Sequence, residues 1–183
     1  MRIIGGIFKS RAFSPGKNFR ARPTTDFARE NLFNILNNRY NLDNKRILDL
    51  FSGTGSISFE FVSRGCEDVT CVELDRFHYN FICSVIEKLD VKSSMRAING
   101  DAFKFITRSL EQFNIIFADP PYELKRIAEI PDLILNSNLL YDEGLLILEH
   151  GKTNDFSSHP DFKELRTYGS VHFSFFEHKK QLL

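Results

Sequence analysis

Ile47-Leu48-Asp49-Leu50-Phe51-Ser52-Gly53-Thr54-Gly55-Ser56 carries an apolar run into a glycine pair and then into a helix-like segment. The run reads as a strand buried on both faces, and the glycines let the backbone approach a ligand closely. In a doubly wound sheet, this first strand-to-helix turn is where an adenosine-bearing cofactor sits. The chain beyond it keeps alternating between strand and helix, which is the signature of a parallel sheet covered on both faces. Strands are expected near 46–51, 69–73, 95–99, 113–118 and 145–149, and helices near 56–64, 77–89, 101–111 and 124–136. Residues 162–168 and 171–177 flank Gly169-Ser170 and read as a closing antiparallel hairpin.

Glu73 follows Gly53 by 20 residues, at the end of the second expected strand, where an acid can hold both hydroxyls of a ribose. That spacing also suits a dinucleotide, so two cofactor classes have to be separated. Ser58 stands where a pyrophosphate-binding turn needs its third glycine, and Asp49 brings a negative charge that repels a pyrophosphate. A cationic cofactor is favoured instead, and S-adenosylmethionine has an α-ammonium, a sulfonium and no phosphate. After the third strand, Gly100-Asp101-Ala102 offers an acceptor and a donor to an adenine edge. The expected cofactor-binding set is Asp49, Phe51, Ser52, Gly53, Gly55, Glu73, Leu74, Asp101 and Ala102. Asp49, Glu73, Asp101 and Asp119 are read as acids that each end a successive strand and line one edge of the sheet.

The fourth strand, Phe113-Asn114-Ile115-Ile116-Phe117-Ala118, stops at Asp119-Pro120-Pro121-Tyr122. Each proline fixes its own φ and pushes the preceding residue toward extended backbone, so the four residues predict a rigid projecting corner. Asp119 and the Pro120 carbonyl would grip the two N–H bonds of a planar amine, and Tyr122 would stack on its ring. Asp119, Pro120, Pro121 and Tyr122 are therefore the expected catalytic residues.

Composition narrows the class. With 183 residues, the chain has room for one domain and a small extension, and no apolar run is long enough to span a membrane. Met1-Arg2-Ile3-Ile4-Gly5-Gly6 has no secretory core, so a cytoplasmic protein is expected. Cys66, Cys71 and Cys83 lack disulfide or zinc spacing, and the five histidines are scattered, so neither a metal nor a hydrolase site is expected. Net charge is zero, yet residues 1–46 hold ten Lys/Arg against three Asp/Glu, a balance of +7 offset by −7 elsewhere. Such asymmetry points to an anionic partner, nucleic acid above all. Residues 1–45 are expected to form a basic extension of hairpin and helix, with Thr24 or Thr25 capping a helix that ends near Asn38, and residues 46–183 a catalytic domain. The expected RNA-binding set is Arg2, Arg11, Arg20, Arg22, Thr24 and Arg29.

Arg2-Ile3-Ile4-Gly5-Gly6, Arg22-Pro23-Thr24-Thr25-Asp26, Arg29-Glu30 with Leu32-Phe33-Asn34-Ile35-Leu36, Leu48 to Gly55, Ser63-Arg64-Gly65 and Asp119-Pro120-Pro121-Tyr122 together resemble one family. It is that of the guanine-N2 methyltransferases of 16S ribosomal RNA. The N-terminal blocks are its specific part, because the cofactor and Asp-Pro-Pro-Tyr blocks also occur in other amino-group methyltransferases. The resemblance implies a class I, Rossmann-like fold of seven strands, mostly parallel, with the last antiparallel. It also implies S-adenosylmethionine as cofactor and 16S rRNA or the assembling small subunit as partner, with a monomer expected. Adenine-N6 or cytosine-N4 methylation of DNA or RNA, and a non-catalytic RNA-binding assembly factor, are the alternatives.

Overall fold

The strands are β1 Arg46–Leu50, β2 Asp68–Glu73, β3 Met95–Asn99, β4 Phe113–Ala118, β5 Leu140–His150, β6 Phe162–Tyr168 and β7 Val171–Glu177. In the computed structural model, which describes residues 1–16 and 24–177, they form one sheet in the order β3-β2-β1-β4-β5-β7-β6. β1 to β5 pair in parallel, and β7 runs antiparallel between β5 and β6. The expected doubly wound α/β fold with a C-terminal antiparallel hairpin is the one observed.

Helices α1 (Asp26–Arg39), α2 (Ser56–Ser63) and α3 (Arg76–Leu89) cover the sheet face that carries Ile47, Cys71, Ile115, Phe117 and Ile147. Helices α4 (Ala102–Arg108) and α5 (Ile130–Leu135) cover the face that carries Leu48, Leu50, Ile116, Ala118 and Leu146. Each β-strand sends alternate residues to opposite faces, so both faces being helix-covered is why these strands read as unbroken apolar runs. The crossovers change sides between β1 and β4, and that switch point is where sheets of this kind leave a crevice for ligands.

Three boundaries depart from expectation. β5 begins at Leu140, where the Phe113 N–H reaches the Leu139 carbonyl (2.7 Å) and a register shift follows. The helix expected over 101–111 stops at Arg108, because Ser109 is extended (ψ 137°). The helix expected over 124–136 is a 3₁₀ turn, Ile127–Glu129, followed by α5. Pro131 lies in the first turn of α5, since a proline has no N–H to continue an earlier turn.

The first 16 residues make a narrow hairpin joined by an Arg2–Ala12 bridge. Glu60 on α2, fully buried, fastens it by accepting the backbone N–H groups of Ile4 and Gly5. Ser63 adds its hydroxyl to the Gly5 carbonyl (2.5 Å), and its own carbonyl accepts the Ile7 N–H (2.7 Å). Gly6 has φ +73°, and a Cβ there would lie 1.8 Å from the Ser63 oxygen, so only glycine allows this approach. α1 starts at Thr25, whose hydroxyl accepts the Ala28 N–H (3.2 Å), a cap worth about 1 kcal/mol. Ile3, Ala28, Leu32, Phe33 and Leu36 join one cluster with Phe59, Phe61, Ile82 and Phe117, so the described part of 1–45 shares the core of the sheet. No helix among the described residues is long and apolar enough to cross a membrane.

Candidate active site

Leu50 pairs in register with Val72 and Ala118, and Ala118 with Leu148. One step further along the chains stand Phe51, Glu73, Asp119 and Glu149, side by side at the upper edge of the sheet. Side-chain alternation sends Glu73, Asp119 and Glu149 to the face covered by α1, α2 and α3, together with Asp49 two residues before Phe51. Parallel register thus gathers acids from four strands at the switch point.

Asp49 lies inside β1 rather than at its end and is 1% exposed. Ser58 donates to its Oδ2 from both N (3.2 Å) and Oγ (2.5 Å), so the serine that replaces a glycine in the loop pattern is the partner of this carboxylate. Burial pushes Asp49 up to about 7, helped by the charge of Glu73 and opposed by the two Ser58 bonds. Phe51 has φ +60°, a strained conformation for a bulky side chain, and its ring meets Phe103 edge-on at 6.0 Å. Ser52 is buried with its hydroxyl donating to the Asp49 carbonyl (2.7 Å). Gly55 has φ +72° and a Cβ there would press on Phe59 and Ile82 at 3.0 and 3.2 Å.

Glu73 accepts the Gly53 N–H (2.7 Å) with Oε2 and the Asp75 N–H (2.8 Å) with Oε1. The second-strand acid and the glycine loop are thereby tied across the crevice. Next to it Leu74 is 67% exposed and Phe77 48%, two large apolar side chains left at the surface. Asp101 caps α4 by accepting the Lys104 N–H (2.9 Å), so it lies beyond β3 and not at its end, and Ala102 is the buried first residue of that helix. A cleft of about 550 Å³ runs beside Asp101 between Val72, Ile98, Lys104 and Phe105, on the α4 side of the sheet and away from Asp119. The glycine loop tied to the Glu73 carboxylate fits an adenosine-bearing cofactor that lacks phosphate, while the cleft beside Asp101 continues along α4 to Arg108 and Glu111 and is lined by neither the loop nor Glu73.

The Asp119 N–H donates to the Leu50 carbonyl (3.2 Å), which holds the Asp-Pro-Pro-Tyr corner against the start of the glycine loop. Burial raises the Asp119 carboxyl well above its ordinary range, and the charges of Glu149 and Asp49 push the same way. Pro120 is buried, Pro121 exposed, and the Pro121 carbonyl closes the next turn by accepting the Leu124 N–H (2.9 Å). Tyr122 is half-buried and its ring lies over Gly151, where a Cβ would come 3.2 Å from Cδ2.

Glu149 is absent from the expected set, although it is an acid at the end of the fifth expected strand and repeats the pattern of the others. It is 3% exposed and accepts the Thr24 hydroxyl (2.8 Å) on Oε2 and the Tyr122 hydroxyl (3.4 Å) on Oε1.

Two members of the expected RNA-binding set are corrected. Arg29 is 1% exposed, and its guanidinium donates to the Arg2 carbonyl (2.6 Å) and Asp26 (2.8 Å) and faces Glu60, so it is a buried structural ion and not an RNA contact. Thr24 is buried with its hydroxyl on Glu149, so it belongs to the acidic edge. Arg2 is exposed but paired with Asp26 (2.7 Å), and Arg11 is exposed with its guanidinium 5.3 Å above the Phe8 ring. Arg20 and Arg22 lie outside the described residues.

The family model described as "Conserved hypothetical protein 95" matches residues 1–177. Ribosomal RNA small subunit methyltransferase D of Escherichia coli K12 is 31% identical over 160 residues, covering 87% of this chain and 79% of that one. The chain belongs to the small-subunit ribosomal RNA methyltransferase family. A second relative of the same name, from Buchnera aphidicola of Baizongia pistaciae, is 27% identical over 180 residues, 96% of this chain and 91% of its own. Among solved structures, an Escherichia coli protein provisionally described as a methyltransferase superposes with a TM-score of 0.86 at 27% identity, covering 99% of each chain. The family match and the superposition take in both the hairpin at the start of this chain and its two C-terminal antiparallel strands.

Proposed function

We propose that this protein transfers a methyl group from S-adenosylmethionine to the exocyclic N2 amine of a guanine in 16S rRNA, acting as a cytoplasmic monomer on RNA or on the assembling small subunit. The observation that carries the reading is the bond from the Asp119 N–H to the Leu50 carbonyl, which sets an amine-gripping corner beside a glycine loop suited to a cationic cofactor. Family membership and the names of the relatives support the ribosomal substrate.

When bound, S-adenosylmethionine supplies an electrophilic methyl group. Glu73 would hold the ribose hydroxyls and Asp101 and Ala102 the adenine edge, while Asp49, buried under Ser58 at the base of the loop, would act on the positive end of the molecule through its charge and not by contact. Asp119 and the Pro120 carbonyl accept the two amine N–H bonds, which draws the nitrogen lone pair out of the base ring and holds it for attack. An aromatic amine turns acidic only as the new bond forms, so Asp119 need take the released proton only late in the step. The raised affinity of its carboxyl for a proton suits that role. Tyr122 stacks on the base, a contact worth about 1–3 kcal/mol, and positioning of the amine contributes up to about 7–11 kcal/mol. The guanine must lie unpaired or flipped, because a paired amine cannot enter the corner.

The test supplies purified protein with methyl-labelled S-adenosylmethionine and 16S rRNA, partly assembled small subunits or duplex DNA, followed by mass spectrometry of the digested nucleosides. N2-methylguanosine is expected from the ribosomal substrates alone. N6-methyladenine or N4-methylcytosine from DNA overturns the substrate class, and cofactor binding without transfer to any substrate leaves a binding factor.

A further inference from the structure

We propose that Glu149 is a positioning residue for this reaction, whose carboxylate links the hydroxyl of Thr24 to the hydroxyl of Tyr122 and so holds the base-stacking ring against the start of α1. The inference rests on the amine-methylation reading above.

A carboxylate 3% exposed is costly unless it is hydrogen-bonded, and both oxygens of Glu149 are engaged by hydroxyl donors from distant parts of the chain. Thr24 lies 125 residues away in sequence and immediately precedes the residue that caps α1, at the end of the basic segment containing Arg20 and Arg22. Tyr122 is the last residue of the corner that grips the amine. Its ring is seated on Gly151 at one side and tied at its tip to Glu149, which comes two residues before Gly151. Two points of fixation define the plane of the ring, and that plane is the one the target base must adopt. The Thr24 bond is of ordinary length (2.8 Å) and the Tyr122 contact is long (3.4 Å), so Glu149 is anchored firmly on the Thr24 side and more weakly on the ring. Glu149 also stands at the register position beside Asp119, and its negative charge favours the proton-bound form of that carboxyl. The residue therefore sets both the orientation of the ring and the charge beside the amine, without itself touching either reacting atom.

Steady-state and single-turnover methylation of 16S rRNA by the wild type, Glu149→Ala, Glu149→Gln and Thr24→Val tests this, with cofactor affinity measured separately. A misplaced base costs up to about 100-fold in rate, so Glu149→Ala is expected to lower kcat by about 10–100-fold while the cofactor Kd stays within about twofold. Glu149→Gln retains a group that can bond both hydroxyls and is expected to recover most of that loss, with a shifted acid limb in the pH–rate profile because the charge beside Asp119 is gone. Thr24→Val keeps the shape of the side chain but removes its hydroxyl from both Glu149 and Asp119, so it is expected to lose at least part of what Glu149→Ala loses, and it does not depend on that variant folding. Tyr122→Phe is expected to slow the wild type but to add nothing in the Glu149→Ala background. An active wild type matched by Glu149→Ala, or additive losses in the Tyr122 pair, overturns the inference alone. A wild type that methylates no amine overturns the functional reading and this inference with it.

Discussion

Arg29 and Glu60 face each other inside the core, with Nε 3.7 Å from Oε1 and side chains 2% and 0% exposed. Arg29 Nε makes no hydrogen bond, and burial lowers the guanidinium pKa against the pull of Glu60 and Asp26. The pair is the junction at which hairpin, α1 and α2 meet, since Glu60 also receives the N–H groups of Ile4 and Gly5. Removing one partner of a buried pair costs about 3–5 kcal/mol because the other is left charged and alone. Arg29→Met should therefore lower Tm by roughly 6–20 °C, at about 2–4 °C per kcal/mol for a domain of this size. Adding Glu60→Gln should return part of the loss. Calorimetry checks both. An unchanged Tm in Arg29→Met, with weakened RNA binding, would return Arg29 to the RNA surface.

The same pair marks where the sequence stops being legible. Helix α1 and its cap follow from Thr25, Asp26 and the apolar stripe after them, but whether an arginine on that helix faces solvent or Glu60 depends on what packs on the helix. The +7 balance includes Arg29 with the rest, although a buried guanidinium adds nothing to the surface field. The parallel sheet and its closing hairpin are readable because both depend on local runs of apolar residues broken by turn residues. Asp101 shows a different limit: the acid is evident in the sequence, but it serves as the cap of α4 in the structure, and capping and ligand binding use the same residue types. Ser58 stands out in the sequence only as a missing glycine, since its bond to Asp49 needs the helix to fold back on β1. Glu149 carries the same signal as the other strand-end acids, and its partners come from 125 and 27 residues away, beyond any local pattern.

Asp119 and Glu73 should separate chemistry from cofactor binding. Asp119→Ala is expected to abolish methyl transfer with cofactor affinity within a few fold. At Glu73 the cleaner variant is Gln, because the native carboxylate also accepts from Gly53 and Asp75 and truncation would loosen the loop. Losing a charge-assisted bond of about 1.5–3 kcal/mol predicts cofactor binding weakened about tenfold to a hundredfold. Isothermal titration of both variants reads the split, and an equal loss of affinity in the two contradicts it.

Asp49 gives the protein a defined pH dependence. Its carboxyl titrates near 7 when folded against an ordinary value of 3.8, chiefly because it is buried. Folding thus favours the protonated form, so the stabilising contribution is complete below about pH 4 and is lost as pH rises to about 7. Three pKa units correspond to roughly 4 kcal/mol as an upper bound. Asp119 shifts in the same direction, so the informative quantity is the difference between wild type and Asp49→Asn, in which other groups cancel. Urea midpoints at pH 4.5 and pH 8 should show the variant gaining on the wild type with rising pH. A gap that does not change with pH means Asp49 stays ionised in the fold.

Arg20 and Arg22 remain the arginines of the basic segment expected at the RNA. Arg2 is partly neutralised by Asp26 and Arg29 is internal, so of the arginines proposed to contact RNA, Arg11, Arg20 and Arg22 are the ones left to test. The two arginines closely precede Thr24, whose bond to Glu149 brings that end of the segment to the catalytic edge. Replacing both arginines by Gln should weaken RNA binding without changing cofactor affinity, and each phosphate released from an arginine should reduce the slope of log K against log salt by about 0.7–0.9. Arg29→Met, measured at a temperature where it is folded, should leave that slope alone. Filter binding of 16S rRNA fragments across a salt series gives both numbers. An unchanged slope in the Arg20 and Arg22 double variant would mean that the positive segment is a solvated surface and that the RNA is held elsewhere.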